Sequence, residues 1–315
     1  MKPVLERKSP ATSMPKQRDP GPTGFAIVDK PRGWTSHDVV AKARGVFQTR
    51  KVGHSGTLDP DATGVLLLGV GKGTRLLRFL DGERKAYTGE IRFGSETDSL
   101  DSTGTVTRTH DMGPIDIEAA RRAAAELTGH IQQVPPMVSA KKVDGKRLHE
   151  LAREGIEIER EPVPVTVFSF ELEETDDEMA LRCSVECSAG TYIRSLAADL
   201  GTALGGGAHL HGLRRTAIGV FTDDMAAPLE EVELRSVAEL VSGHGLIEVD
   251  EVTALDVRYG KVLASEHLEL SSDGPYPLVD EAGELLAVYE QHRGGTVKPA
   301  VVVAEPPPKI PAPEL

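Results

Sequence analysis

Apolar and polar positions along this chain follow two periods, one suited to strands and one to helices. Residues 25–29, Phe-Ala-Ile-Val-Asp, predict a first strand, and Lys30-Pro31-Arg32-Gly33 a basic turn. Thr35 and Asp38 stand in capping-box spacing, which predicts a helix running to about residue 47. Residues 65–70 are almost entirely apolar and read as a short buried strand. Leu76, Leu77 and Leu80 recur at helical spacing behind Gly73-Thr74, with Arg75 and Arg78 left for solvent or phosphate. Residues 85–93 alternate and predict a strand; 95–104 read as polar loop. An amphipathic helix is expected over 115–127, ending at Gly129. Further expectations are a strand over 137–143, a short helix over 146–154, strands over 163–172 and 179–187, and a helix over 191–204 entered from Gly190. The stretch 209–218 carries Arg214-Arg215.

After Pro228 the texture changes to a helix-like stretch ending near 241, then short strands with turns. The elements do not strictly alternate, which predicts an α+β fold with a mixed, mainly antiparallel central sheet flanked by helices. The expected division is a disordered extension over 1–22, a main domain over 23–247, a small β-rich domain over 248–304 and a Pro-rich tail over 305–315.

Composition narrows the class. The chain has 315 residues, 39% of them apolar, enough for a large core. There is no run of 18 apolar residues, so no membrane span is expected. Residues 1–22 hold Lys, Arg, Pro and Thr without an apolar segment and do not read as a secretory signal. Cys183 and Cys187 lie four apart in an alternating run, as two buried thiols of one strand face would, and a reducing cytoplasm suits them. Net charge is −13, which speaks against a nucleic-acid partner. Its distribution is uneven, however. Residues 30–92 hold 12 Lys/Arg against 6 Asp/Glu, whereas 154–178 hold 10 acidic residues and one basic, Arg160. A positive cleft in an acidic protein and a set of solvated faces both fit these numbers.

The candidate chemistry centres on Gly53-His54-Ser55-Gly56-Thr57-Leu58-Asp59-Pro60-Asp61-Ala62-Thr63-Gly64. Three of its neighbours in interest are Tyr87, the turn Gly190-Thr191-Tyr192-Ile193-Arg194, and Leu213-Arg214-Arg215-Thr216. Pro60 biases Asp59 toward an extended backbone. Read as residue types, Asp59 is either a turn cap or a held functional carboxylate. A strand Tyr usually packs, and an Arg at a helix start usually lies on the surface. His54, His149, His209 and His211 lack the carboxylates a metal site would need. Gly71-Lys72-Gly73-Thr74 does not make a nucleotide-phosphate loop, because position 66 is Leu and position 73 is Gly.

The glycine loop resembles the signature of the bacterial tRNA pseudouridine-55 synthases, the TruB family. Four further segments resemble that family's motifs, in its order, over about residues 24–219. They are Asp29-Lys30-Pro31 with Gly33 and Thr35-Ser36-His37-Asp38; Pro135-Pro136-Met137-Val138-Ser139-Ala140 with Lys142, Gly145 and Arg147; Ser188 to Arg194; and Leu213 to Thr216. Ser55, Asp61 and His149 stand where the family usually has Thr, an apolar residue and Tyr. The resemblance implies a pseudouridine synthase fold with a PUA-like C-terminal domain and a mobile RNA-binding insert near 131–160. It implies isomerisation of uridine 55 in the TΨC arm of tRNA by base flipping, in a monomer, without cofactor or metal. Asp59 would be the essential carboxylate, Arg194 its partner, Tyr87 the stacking platform and Tyr192 a second pocket tyrosine. Leu213 would form an apolar wall, and His54 would prop the vacated space. Lys30, Arg75, Arg214 and Arg215 are the expected phosphate contacts. The alternative is a non-catalytic RNA binder or folding chaperone, which can coexist with the enzyme.

Overall fold

The computed structural model describes residues 21–137, 142, 143, 146, 147, 158, 160–268, 270 and 273–307. The expectations for the N-terminal extension, the end of the tail, and most of the insert, His149 included, lie outside the described residues. In chain order, β1 (Gly24–Lys30), α1 (Ser36–Val46), β2 (Val52–Ser55), β3 (Thr63–Val70) and β4 (Lys85–Phe93) come first. The pair β5 (Ser95–Thr97) and β6 (Val106–Thr109), then α2 (Ile117–Glu126) and β7 (Gly129–Gln133), follow. Next are β8 (Lys142–Val143), β9 (Lys146–Arg147), β10 (Val163–Glu174), β11 (Ala180–Cys187), α3 (Ile193–Ala203), β12 (Ala208–Ile218) and β13 (Phe221–Thr222). The last part holds α4 (Val237–Leu240), β14 (Ile247–Glu248), α5 (Glu251–Arg258), β15 (Leu263–Ala264), β16 (Tyr276–Val279), β17 (Leu285–Gln291) and β18 (Thr296–Val302).

The fold is α+β. The main sheet runs β1-β3-β12-β4-β11-β10-β7, with β2 also on β3 and β13 on β12. All pairings in it are antiparallel except β3 with β12, which are parallel through Thr63↔Arg214 and Gly64↔Arg215. β2 and β12 thus share one edge of β3, β2 at residues 67–70 and β12 at 63–64. The loop 56–62 emerges where that edge passes from one partner to the other.

The apolar run of β3 is buried on both faces. Leu66 and Leu68 pack with Ala26, Val28 and α1 residues Val39 and Ala43. Val65 and Leu67 face the other way, with Phe25, Ile27 and the leucines of 76–80. That second layer continues into Val279, Leu285, Val288 and Val301 of a five-stranded sheet ordered β14-β16-β17-β18-β15. Helices α2 and α3 cover β4, β10, β11 and β12. Thr35 and Asp38 form the expected capping box, Oγ1 accepting from Asp38 N at 3.0 Å and the carboxylate accepting from Thr35 N at 2.9 Å. Cys183 and Cys187 are both free and buried on the same face of β11.

Two expectations are corrected. Residues 71–80 form two 3-10 turns, 71–75 and 77–80, instead of an α-helix. Close backbone approach explains it: a Cβ on Gly73 would lie 2.1 Å from the Gly24 carbonyl oxygen. Lys146–Arg147 pairs as a strand with Lys142–Val143, and the rest of the helix expected over 146–154 lies outside the described residues. The loop expected over 95–104 begins with the strand β5. Helix α5 and strand β7 were not expected from the pattern.

Gly64 sits at φ +98°, and a Cβ there would meet the Arg215 carbonyl oxygen at 2.1 Å. Gly64→Ala is therefore expected to destabilise the protein by about 3 kcal/mol or more, combining backbone strain and a clash with another strand. Urea unfolding measures it; a midpoint equal to that of the unmodified chain contradicts the close packing of β3 on β12.

Candidate active site

The loop between β2 and β3 carries Asp59, and its backbone is held on both sides of that residue. Before it, Ser36 at the start of α1 accepts from Leu58 N at 2.9 Å and donates to Leu58 O at 3.2 Å. After it, the carbonyl of Pro60 accepts from Lys30 Nζ at 3.1 Å and Gly33 N at 2.8 Å. Ala62 N closes the turn on Asp59 O at 3.1 Å. At the loop's root, Arg215 donates to Gly56 O at 2.9 Å and to Val65 O at 2.8 Å.

Asp59 lines a cavity of about 310 Å³ together with Tyr87, Tyr192, Arg194 and Leu213. Arg194, in the first turn of α3, has a side chain only 6% exposed and holds two carboxylates. Its Nη2 lies 3.0 Å from Asp59 Oδ2, and its Nη1 lies 3.3 Å from Asp101 Oδ2 and donates to Ser99 O at 3.0 Å. A planar guanidinium suits this double duty. Asp59 keeps a side chain 46% exposed, so its carboxylate faces the cavity while Arg194 lies behind it. Asp101 is itself fixed by Ser99 Oγ at 2.7 Å and Thr103 N at 3.0 Å, in a turn where Leu100 takes φ +62°.

Tyr87 projects from β4, and its hydroxyl hydrogen-bonds Arg215. Burial raises the Tyr87 pKa above the usual phenol range, more than the nearby guanidinium lowers it, so the ring carries its proton at neutral pH. Tyr192 caps the start of α3. Its backbone is bracketed by the buried Gln133 side chain, which accepts from Tyr192 N at 2.7 Å and donates to Tyr192 O at 3.1 Å. The carboxylate beside Asp59 in sequence, Asp61, turns to Arg32 at 3.6 Å.

The structure brings Asp59, Tyr87, Tyr192, Arg194, Leu213 and Arg215 into one cavity, and it pairs all four expected phosphate-binding cations with groups of the protein. Lys30 is fully buried, its ammonium donating to Pro31 O, Trp34 O and Pro60 O. Desolvation lowers its pKa to about 8. Arg215 is 1% exposed and lies in the cavity floor. Arg214 forms a bidentate pair with Asp29 at 3.0 and 3.2 Å and a further bond to Asp223 at 2.9 Å. Arg75 donates to Val302 O of the second sheet, away from the cavity. Each of these cationic ends is taken up by backbone carbonyls or carboxylates, and Lys30 and Arg215 are buried.

His54 does not line the cavity. Its ring meets His37 edge-on at 5.3 Å. Asp101, Gln133 and Ser36 were not singled out from sequence. Ser36 lay inside a recognised motif; Asp101 and Gln133 carried no local signal beyond polar residues in a loop and before a proline pair. Among the described residues no cluster of three or more His, Cys, Asp and Glu is placed to hold a metal ion, and no helix is long and apolar enough to cross a membrane.

Comparison with known proteins gives the same family from several directions. The model of the TruB family pseudouridylate synthase N-terminal domain matches residues 44–193, and that of the tRNA pseudouridylate synthase B C-terminal domain matches 194–242. The boundary between the two matches falls inside α3, and β12 beyond it lies mid-sheet, so it marks no break in the fold. Tyr192 and Arg194 thus fall on opposite sides of it. A tRNA pseudouridine synthase B of Arthrobacter sp. (strain FB24) is 42% identical over 297 residues, covering 90% of this chain and 97% of that one. The Streptomyces coelicolor protein of the same name is 44% identical over 286 residues, covering 87% and 95%. Among solved structures, the Cbf5-Nop10-Gar1 complex contains a chain with TM-score 0.67 at 24% identity, covering 90% of this chain and 84% of that one. That likeness concerns the fold.

The buried Nδ1 of His54 has no hydrogen-bond partner, and desolvation with the neighbouring His37 and Arg215 lowers its pKa from 6.5 to about 4. Between those values the unfolded chain binds a proton that the folded chain refuses, so stability falls as pH drops from 6.5 toward 4. The contribution of this one group is at most about 3 kcal/mol. Urea midpoints measured at pH 7 and pH 4.5 in the unmodified chain and in His54→Gln are expected to differ less for the variant; identical pH slopes contradict the assignment.

Proposed function

The chain belongs to the TruB family of pseudouridylate synthases, and from that premise we propose that it converts uridine 55 of the TΨC arm of tRNA to pseudouridine. It is a tRNA pseudouridine synthase, an isomerase. The reaction breaks the bond between C1′ and N1 of a uridine, turns the base and joins C5 to C1′. Product and substrate are isomers, one proton being lost at C5 and one gained at N1, so the reaction calls for no cofactor or metal; the reading further includes a monomer acting in the cytoplasm.

The observation that supports it most is the carboxylate of Asp59, open to the cavity and backed by Arg194 at 3.0 Å. A preorganised charge in a partly desolvated pocket stabilises a developing opposite charge without reorganising at the moment of reaction. Asp59 is assigned the oxygen pair that faces the sugar carbon. Arg194 is a positioning residue that aims it, and Asp101 fixes Arg194 from its other side. A cavity of about 310 Å³ has room for a flipped pyrimidine nucleotide. Flipping costs roughly a few kcal/mol, and stacking on an aromatic ring returns about 1–3 kcal/mol per base. Tyr87 supplies that ring, and its protonated hydroxyl is a donor beside the base. Leu213 and Tyr192 close the cavity around it.

Asp59→Asn removes the charge and keeps the shape. It is expected to bind tRNA within about threefold of the unmodified chain while turnover falls on the order of 10³-fold or more. Release of tritium from tRNA labelled at uracil C5 gives the rate, and filter binding gives the affinity; retained turnover ends the assignment of Asp59. Tyr87→Phe keeps the stack and loses the hydroxyl, so a slowing of about 10²-fold is expected. Unchanged turnover in that variant leaves Tyr87 as a platform alone. Mapping pseudouridine in tRNA from cells lacking the protein tests the position: unmodified uridine 55 is expected.

A further inference from the structure

Three cations reach the cavity, and two are already spoken for. Arg194 is shared between Asp59 and Asp101. Arg215 is shared among the carbonyls of Gly56 and Val65 and the Tyr87 hydroxyl. The third is Lys85, first residue of β4, which lines the same cavity and is only 8% exposed. Its Nζ donates to Glu83 O at 3.2 Å, and among the described residues no carboxylate lies within 4 Å of it. An ammonium has three donors, and burying one with so little compensation is costly unless a ligand completes the set. Burial, followed by the field of Arg215, lowers the Lys85 pKa, which agrees with an incompletely paired charge.

Geometry places Lys85 on the same face of β4 as Tyr87. Residues two apart on a strand share a face, so Lys85 and Tyr87 stand about 7 Å apart on the same side of β4. A ring stacked on Tyr87 turns an edge toward Lys85. The aliphatic end of Lys85 and the head of Arg215 also converge on one point of the loop: a Cβ built on Gly56 would lie 3.5 Å from Lys85 Cε and 3.2 Å from Arg215 Nη1. The absence of a side chain at position 56 keeps the two cations together at the cavity floor.

We propose that Lys85 is a catalytic residue whose ammonium donates to a carbonyl oxygen of the uracil ring and stabilises the negative charge of the detached base. The inference rests on the pseudouridine synthase reading above. When the C1′–N1 bond breaks, its electron pair stays on the ring and spreads over N1 and the ring carbonyls. The electron deficiency left at C1′ faces Asp59. Rejoining uses an electron pair at C5; the proton on C5 is lost, N1 gains one, and the composition is unchanged. A cation at the carbonyl edge lowers the energy of the separated pair and leaves substrate and product nearly unaffected.

The test is steady-state kinetics of Lys85→Gln and Lys85→Arg on tRNA carrying uridine at the target, with the single-turnover rate of C1′–N1 cleavage compared between uridine and 5-fluorouridine, whose C5 has no proton to lose. Removing one preorganised donor is expected to lower kcat about 10²-fold, with KM changed less than about threefold. Lys85→Arg keeps the charge and is expected to retain activity within about tenfold of the unmodified chain. Fluorine withdraws electrons from the detached ring, which then needs less help, so the Lys85→Gln deficit on 5-fluorouridine is expected to shrink to about tenfold or less. Equal deficits on both substrates, a loss confined to KM, or unchanged kcat in Lys85→Gln overturns the proposal. If Lys85→Gln fails to fold, as melting curves would reveal, Lys85→Met, which keeps the aliphatic stem and loses the ammonium, is put to the same comparison and decides it. An unmodified chain that makes no pseudouridine defeats the parent reading instead, so the two failures are distinguishable.

Discussion

The site depends on two backbone anchors that flank a single residue. Ser36 grips both polar groups of Leu58, and Lys30 with Gly33 grips the carbonyl of Pro60. Asp59 lies between them with its own backbone constrained by Pro60 and its turn closed by Ala62. A carboxylate on a free loop would lose conformational entropy each time it met its partner. Here that entropy is lost on folding, and Arg194 meets a group already in place. The anchors also tie the loop to β1 and α1, which explains physically why Asp-Lys-Pro and Thr-Ser-His-Asp accompany the glycine loop in one sequence.

Buried cations serve as scaffolding throughout this half of the molecule. Lys30 and Arg215 turn their donors to main-chain carbonyls that no neighbouring strand satisfies, and Arg214 binds Asp29 and Asp223. Such groups are expensive to desolvate and stay only where their hydrogen bonds are filled. The gathering of positive charge between residues 30 and 92 is therefore in part internal architecture, and it gives a poor measure of the surface offered to RNA.

Strands β1, β3, β4, β10 and β11 and helices α2 and α3 were legible from periodicity, and the first helix from Thr35 and Asp38 at its cap. The pairing of Asp59 with Arg194 followed from family resemblance, since 135 positions separate them in sequence. What stayed hidden depended on where side-chain ends point. Sequence reports that Lys30, Arg75, Arg214 and Arg215 are basic, and says nothing of the carbonyls and carboxylates that take up their charge. Asp101 looked like an ordinary turn aspartate, and only the fold sets it against Arg194. The 3-10 turns over 71–80 were missed because helical leucine spacing also suits a segment clamped against Gly24 and a second sheet.

The apolar layer between the two sheets ties distant parts of the chain into one mechanical body. Val279, Val288 and Val301 rest against the same cluster as Val65 and Leu67, while Lys72, Arg75 and Arg78 hook onto the carbonyl of Val303, that of Val302, and Glu290. β3 is thus clamped between α1 and the last strands, and the loop with Asp59 is mounted directly on its end. A pull on the C-terminal sheet is transmitted to β3 as load rather than absorbed by a hinge, so the far end of the chain acts as ballast for the aim of one carboxylate.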